Sequence, residues 1–120
     1  MSGLRIRHCG TIVMCLPVAR LVAEVARNCR ASIAQAIDGW QGDIVVDLAN
    51  ITEADAGGLA LLAFAARRGR GRVRFAGAYC PTVRTLVDVT RLDEQLVFHA
   101  DLESALAAIR ERAASARAAA

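Results

Sequence analysis

The order of predicted strands and helices along the second half of the chain constrains its fold most tightly. IVVDL at 44–48 and VRFAG at 73–77 have the apolar, β-branched composition of strands, and a helix at about 56–68 separates them. A helix opening after Pro81 and a short strand, QLVF at 95–98, continue the alternation. Because each helix carries the chain back across the sheet, the strands are expected to be parallel and covered by helices.

The first half supplies the rest of an α/β domain. LRIR at 4–7 and TIVMCL at 11–16 are joined through His8, Cys9 and Gly10, which predicts an antiparallel hairpin. Apolar positions recur every three or four residues over 20–37, which is typical of an amphipathic helix ending near Asp38 and Gly39. A final helix is expected from Asp101.

These elements predict the fold class α/β, as one domain over residues 1–112. Its mixed sheet should have about five strands, an N-terminal hairpin followed by parallel strands, covered by about four helices. The Ala-rich tail at 113–120 has no apolar period and is expected to fray.

The hydrophobic content raises the question of a membrane or secretory segment. The mean hydropathy is +0.34, but the longest apolar run, 57–66, is well short of the roughly 20 residues that a bilayer requires. Arg5 and Arg7 precede an apolar run as in a secretory signal, yet Pro17 interrupts that run and Arg20 follows it. A strand and a cytoplasmic protein without membrane insertion are therefore expected.

The cysteines do not predict a metal site. Cys9, Cys15, Cys29 and Cys80 form no CxxC pair, so reduced core residues are the favoured interpretation over a zinc site at His8 and Cys9. No metal and no cofactor are predicted.

The basic segment RRGRGRVR at 67–74 has two interpretations. The chain has a net charge of +3, and this cluster could contact nucleic acid. Alternatively, Arg67 and Arg68 complement the end of the preceding helix, Gly69 follows it as the C′ residue, and Gly71 completes a turn. The chain has only five aromatic residues on which bases could stack, so a charged turn without nucleic-acid binding is favoured.

Catalysis finds little support in the sequence. The serines lie in no nucleophile-elbow context, and His8 and His99 have no evident catalytic companions. Asp47 and Asp55 could form an acid and base pair, but an aspartate at a strand end more commonly accepts hydrogen bonds from loop amides. The chain contains no lysine, which excludes a P-loop. We therefore predict that the protein is not an enzyme.

The start of the helix at 56–68 is unusual in two ways. Asp55 stands where an N-cap is expected, and Gly57 and Gly58 follow it, although a glycine costs about 1 kcal/mol in a helix relative to alanine. Close packing on the sheet explains one glycine, and the other would allow a partner backbone to approach. The helix is also apolar all the way round, so its outer face must meet another helix, a second copy of the chain or a partner.

The segment DLANITEADAGGLALLAFAARRGRGRVRFAGAYCPTVRTLVDVTRLDEQLVFHADLESALAAI, at 47–109, resembles the STAS domain of bacterial anti-sigma factor antagonists. The shared features are the strand ending in Asp47-Leu48, the loop to Asp55, Gly58-Leu59 at the helix start and the segment 83–92. The resemblance extends over roughly 4–110, although Pro17-Val18 stands where the family has a glycine.

The resemblance implies that the chain binds an anti-sigma factor of the serine kinase type. In the family the regulated serine follows the aspartate, but here that position is Ala56, so no phosphorylation is expected there. Thr52 is the nearest hydroxyl and only a weak candidate, because a hydrogen bond to the local backbone is its simpler role. The partner surface is predicted at 52–64, where it comprises Thr52, Glu53, Asp55, Ala56, Gly57, Gly58, Leu59 and Leu62.

The missing hydroxyl also keeps a second hypothesis open. STAS domains occur as accessory subunits of lipid-transporting ABC systems and as scaffold components of signalling complexes, where a phosphorylatable serine is often absent. The partner would then be the transporter ATPase or other STAS proteins, and a homodimer is a further arrangement compatible with the apolar helix.

Overall fold

A computed structural model describes residues 5–8, 10–16 and 18–119, so Cys9 and Pro17 lie outside the described residues. The zinc alternative at His8 and Cys9 and the departure at Pro17 therefore involve residues outside the described ones. The described strands are β1 (Arg5–His8), β2 (Ile12–Cys15), β3 (Arg20–Leu21), β4 (Ile44–Asp47), β5 (Glu53–Ala54), β6 (Val73–Ala76) and β7 (Val97–His99). The described helices are α1 (Ala23–Asp38), α2 (Ala56–Gly69), α3 (Pro81–Thr90) and α4 (Leu102–Ala119), with a 3-10 turn at Leu92–Glu94.

The main sheet has five strands in the order β1-β2-β4-β6-β7. β1 pairs with β2 antiparallel, whereas β2, β4, β6 and β7 are mutually parallel. The predicted hairpin, the parallel strands and the mixed sheet covered by helices are therefore confirmed. The helices connect strands that lie side by side, as parallel pairing requires.

A second sheet of two short strands was not predicted. Arg20 pairs with Glu53 and Leu21 with Ala54, which joins β3 to β5 in parallel. The helix expected over 20–37 therefore begins only at Ala23, and the residues before it belong to this ribbon. The ribbon brings the segment before α1 against the segment before α2.

The helices cover the two faces of the main sheet unequally. Helices α1, α2 and α3 pack on one face, where Met14, Val46 and Phe75 are fully buried. Helix α4 covers the opposite face through Ala105 and Ile109, which pack against Val45 and Ala76. The larger core lies on the side of α1–α3.

The all-round apolarity of α2 has an internal cause. This helix packs against α1, α3 and β6, so most of its circumference is buried within the domain. Of the three occupants predicted for its outer face, another helix of the same domain is the one found. Neither a second copy nor a partner is needed to explain its composition.

The arginine-rich segment forms a turn, as the favoured interpretation expected, but not with the expected cap. Gly69 is a buried residue of the helix and not the C′ residue that was expected. A Cβ on Gly69 would lie 2.3 Å from Cγ2 of Val73, so no side chain fits there. Arg70 takes the left-handed conformation at the helix end, with φ of 50°. Arg68 pairs with Asp38, and this ion pair lowers the pKa of that carboxyl. Arg72 donates to the carbonyl of Gly42 at 3.1 Å.

The end of α4 differs from the predicted domain boundary. The helix continues past 112 to Ala119, and residues 110–118 are exposed. Fraying of the tail stays a prediction, as does the boundary at 112.

The left-handed Arg70 offers a test of the turn. Arg70→Gly is expected to raise the free energy of unfolding by about 0.5–1 kcal/mol, because glycine adopts this conformation without a clash of its side chain. The matched control Arg67→Gly, on the exposed helix interior, should lower it by about 1 kcal/mol. Urea denaturation measures both, and a loss of stability in Arg70→Gly would contradict the assigned turn.

Candidate functional site

The side chain of Asp55 connects the starts of two helices. Its Oδ1 accepts a hydrogen bond from the backbone amide of Gly58 at 2.7 Å, which is the N-cap contact predicted from sequence. Its Oδ2 accepts from the backbone amide of Ala23 at 3.3 Å, the first residue of α1. One carboxylate thus satisfies amides of both helix N-termini and fixes them relative to each other.

Both glycines at the start of α2 are explained by packing inside the domain. A Cβ on Gly58 would lie 1.8 Å from the carbonyl oxygen of Leu21, and one on Gly57 would lie 2.5 Å from Cβ of Ala23. These approaches leave no room for a side chain. The prediction that one glycine is present to admit a partner backbone is therefore wrong, because each already faces the segment around β3 and the start of α1.

The eight residues predicted to contact a partner divide into two groups. Leu59 and Leu62 are 2% and 1% exposed, and Gly58 is also buried, so these three support the surface from beneath. The other five form an outward-facing patch that we call the α2-start surface: Thr52, Glu53, Asp55, Ala56 and Gly57. Gly57 is half-buried and the other four are exposed.

Thr52 bonds to backbone, but to a distant segment and not to the local backbone that was expected. Its Oγ1 donates to the carbonyl of Ala19 at 3.1 Å, and its own backbone amide donates to the same carbonyl at 2.7 Å. The thiol of Cys80, at the start of α3, donates to the carbonyl of Thr52 at 3.1 Å. The segments around Ala19 and Cys80 thus hold this loop in place.

Sequence reasoning missed the residues that carry the α2-start surface from the β3 side. Ala19 contributes its backbone carbonyl, and Leu21 and Ala23 contribute backbone atoms together with side-chain atoms that fill the space beside Gly58 and Gly57. Contacts of this kind between distant segments leave no sequence motif. The charge pattern offered a weak signal for the pairing of Arg20 with Glu53, which form an exposed ion pair at 2.8 Å. Such a pair contributes little stability, about 0–1 kcal/mol, but sets the charge beside the surface.

A shallow groove continues the α2-start surface along the helices. It encloses about 200 Å³ between α1 and α2, with a floor of small side chains that includes Ala23, Ala26 and Ala60. Arg27 and Arg30 border the groove, and the Arg30 guanidinium lies 4.2 Å from the centre of the Phe64 ring. The surface available to a partner is therefore apolar in its floor and basic along one side.

The remaining sequence candidates do not converge on a catalytic centre. Asp47 accepts a hydrogen bond from the amide of Ala49 at 3.0 Å, which is the loop-capping role expected of an aspartate at a strand end. Among the described residues, no group of three or more His, Cys, Asp or Glu side chains could hold a metal ion. Within the same part of the chain, no helix is long and apolar enough to cross a membrane.

The sequence and the geometry agree with one family of α/β domains. Residues 19–100 match the profile of the family described as "Mlab, STAS domain", which is well over half of the chain. The chain therefore belongs to the STAS domain family. A comparison with curated protein sequences gives no significant match.

Solved structures with the same fold are STAS proteins of the antagonist type. An anti-sigma factor antagonist (STAS) domain protein from Planctomyces limnophilus is 20% identical, with a TM-score of 0.78 over 91% of this chain and 98% of that one. The anti-sigma factor antagonist SpoIIAA in its unphosphorylated form is 22% identical, with a TM-score of 0.72 over 91% and 97%. The phosphorylated form of SpoIIAA, described as a Bacillus cell fate determinant, is 21% identical, with a TM-score of 0.65 over 89% and 99%.

The packing of Gly58 can be tested by a single methyl group. Gly58→Ala should lower the free energy of unfolding by about 2–3 kcal/mol or more, because the methyl group overlaps the Leu21 carbonyl. Helix propensity alone would instead stabilise this variant by about 1 kcal/mol. Ala60→Gly, at an exposed position of the same helix, calibrates that propensity term in chemical denaturation. Stabilisation of Gly58→Ala would rule out the close approach.

Two substitutions of Asp55 should lower the free energy of unfolding by different amounts, because the carboxylate accepts two hydrogen bonds. Asp55→Ala removes both contacts and should cost about 1–2 kcal/mol, as N-cap removals do. Asp55→Asn keeps one acceptor oxygen for Gly58 but loses the second for Ala23, so its loss should be intermediate. Equal stability of the asparagine variant and the wild type would show that the contact to α1 contributes nothing.

Proposed function

We propose that this STAS protein acts like an anti-sigma factor antagonist and binds a partner through the α2-start surface. The proposed partner is an anti-sigma factor of the serine kinase type in the cytoplasm. The single observation that carries the proposal is the exposure of Ala56, in a family whose regulated residue follows the aspartate. The proposed activity is protein binding and includes no catalytic step.

The geometry of the surface supports recognition by shape. Asp55 is held by two backbone amides and Thr52 by the carbonyl of Ala19, so the loop has little freedom left to lose when a partner binds. A preorganised surface loses less entropy on association than a mobile one. The adjoining α1–α2 groove supplies apolar area that the loop alone lacks.

The methyl group of Ala56 distinguishes the proposed mechanism from a phosphorylation switch. A phosphoserine at this position would add about two negative charges beside Asp55 and Glu53. Alanine has no hydroxyl to accept a phosphoryl group, so no charge can be added at this position. Binding would then be constitutive and controlled by the amounts of the two proteins.

The same alanine favours a second candidate function. An accessory subunit of a lipid-transporting ABC system, or a scaffold component of a signalling complex, needs a stable surface without a phosphorylation switch. In that case an ABC ATPase or another STAS protein would occupy the α2-start surface. The two functions therefore share the site and differ in the partner.

A charge placed at Ala56 tests the site directly. Ala56→Glu should weaken binding to an anti-sigma factor kinase of the same organism by tenfold or more, on the order of 1.4 kcal/mol, because the new carboxylate adds to those of Glu53 and Asp55. The control Ala116→Glu makes the same exchange at an exposed position of α4 and should leave binding unchanged. Isothermal titration calorimetry with the purified proteins measures the difference.

The candidate functions give different outcomes in that measurement. Binding of the kinase that is insensitive to Ala56→Glu would contradict the proposed site but not the proposed partner. Binding of an ABC ATPase, with no binding of any such kinase, would replace the first function by the second. Calorimetry with both partner classes therefore separates an error in the site from an error in the function.

Restoring a hydroxyl tests the absence of a switch. With a bound kinase and ATP, the wild-type peptide at 51–58 should gain no phosphoryl group, and Ala56→Ser should gain one. Mass spectrometry of the digested protein detects the added group. A phosphorylated wild-type peptide would instead assign the regulatory role to Thr52, which is the hydroxyl within that segment.

A further inference from the structure

An open cavity of about 450 Å³ lies beside α3, away from the α2-start surface. Residues at the carboxyl ends of β6 and β7 border it, among them Ala78 and His99. In α/β sheets, ligands bind preferentially beyond the carboxyl ends of parallel strands. The volume also falls within the range of about 300–1,000 Å³ found for small-molecule pockets. We call this feature the α3 cavity.

The floor of the α3 cavity is apolar and rigid. Val83 and Val87 project from α3 and are 1% and 7% exposed, so their positions are fixed by the core. Phe98 lies half-buried against Phe75, with the ring centres 5.4 Å apart. At the rim, Tyr79 is 59% exposed, more than the other aromatic residues that the structure describes. Tyr79 and the half-buried Phe98, rather than the two valines, therefore present aromatic area to solvent.

Three charged side chains surround this floor. Arg84 and Asp88 lie one turn apart on α3, and Asp93 approaches from the 3-10 turn. Within the described residues these three side chains form no hydrogen bond or ion pair. Arginine four residues before an acid is the less favourable order on a helix, which is consistent with the absence of a pair between the first two. One cation and two carboxylates therefore remain available to a ligand.

His99 adds no charge to the α3 cavity at neutral pH. Burial lowers the pKa of its imidazole, and the neighbouring Arg74 guanidinium lowers it further. The Nη1 of Arg74 lies 3.0 Å from its Nε2, and since a guanidinium only donates, that nitrogen accepts and Nδ1 carries the proton. The imidazole is therefore a neutral donor beside the cavity.

We propose that the α3 cavity binds a small zwitterion with an apolar body, of the class of an apolar amino acid or dipeptide. Arg84 would pair with the ligand carboxylate, and Asp88 or Asp93 with its ammonium group. The apolar body would lie on Phe98 and Tyr79, because Val83 and Val87 expose only 1% and 7% of their surface. Arg84, Asp88 and Asp93 are exposed, and a zwitterion can pair with the cation and with an acid at the same time, whereas a ligand with one charge can pair with only one of them. This site is independent of the proposed partner binding.

The test is an NMR titration of the full-length, 15N-labelled protein with L-phenylalanine. We expect shifts of backbone amides at 79–87 and 98–100, with a dissociation constant on the order of 1 mM. 2-Phenylethylamine lacks the carboxylate and 3-phenylpropionate lacks the ammonium group. Each analogue should bind about threefold to fivefold more weakly than the amino acid, which is what an exposed ion pair contributes.

Variants separate recognition of charge from simple apolar binding. Arg84→Gln should weaken L-phenylalanine binding about threefold to fivefold without weakening 2-phenylethylamine binding. The control Arg110→Gln, at an exposed position of α4, should change neither. The proposal is overturned if L-phenylalanine shifts no amide around the cavity up to its solubility limit. It is equally overturned if the analogues bind as well as the zwitterion, or if Arg84→Gln has no effect.

Discussion

The contact between the start of α2 and the backbone of β3 determines the arrangement of this domain more than any other. Gly58 lies so close to the Leu21 carbonyl that any side chain would overlap it, and Asp55 then accepts from amides of both α1 and α2. These contacts fix the crossing of two helices whose apolar faces form the larger core. They also fix the loop that presents Thr52 and Ala56. Fold and surface therefore depend on the same few atoms.

The elements that could be predicted are those whose apolar residues repeat with the period of a strand or a helix. Alternating strands and helices identified the parallel sheet, and the turn at Gly10, with φ of 78°, joins the hairpin that the N-terminal apolar runs predicted. The two-residue strands β3 and β5 escaped prediction, because two residues are too few to show a period. Arg20 and Leu21 instead continued the helical pattern of α1. Pairing with a distant segment overrode that local preference.

The local structure at the start of α2 was predictable only in part. Asp55 was recognised as an N-cap because this role depends on local sequence, and the structure adds a second contact, to Ala23, that no local pattern encodes. Gly57 and Gly58 suggested an open surface, whereas the space beside them is filled by Ala23 and Leu21. A glycine inside a helix indicates that no side chain fits at that position. The sequence does not show which neighbouring residue occupies the space.

The start of α3 is connected both to the loop of the α2-start surface and to the α3 cavity. The thiol of Cys80 donates to the Thr52 carbonyl, so the start of α3 is joined to the loop of the α2-start surface. Tyr79, the residue before Cys80, stands at the rim of the α3 cavity. The peptide bond from Tyr79 to Cys80 therefore joins the rim of the α3 cavity directly to the residue whose thiol holds the loop of the α2-start surface.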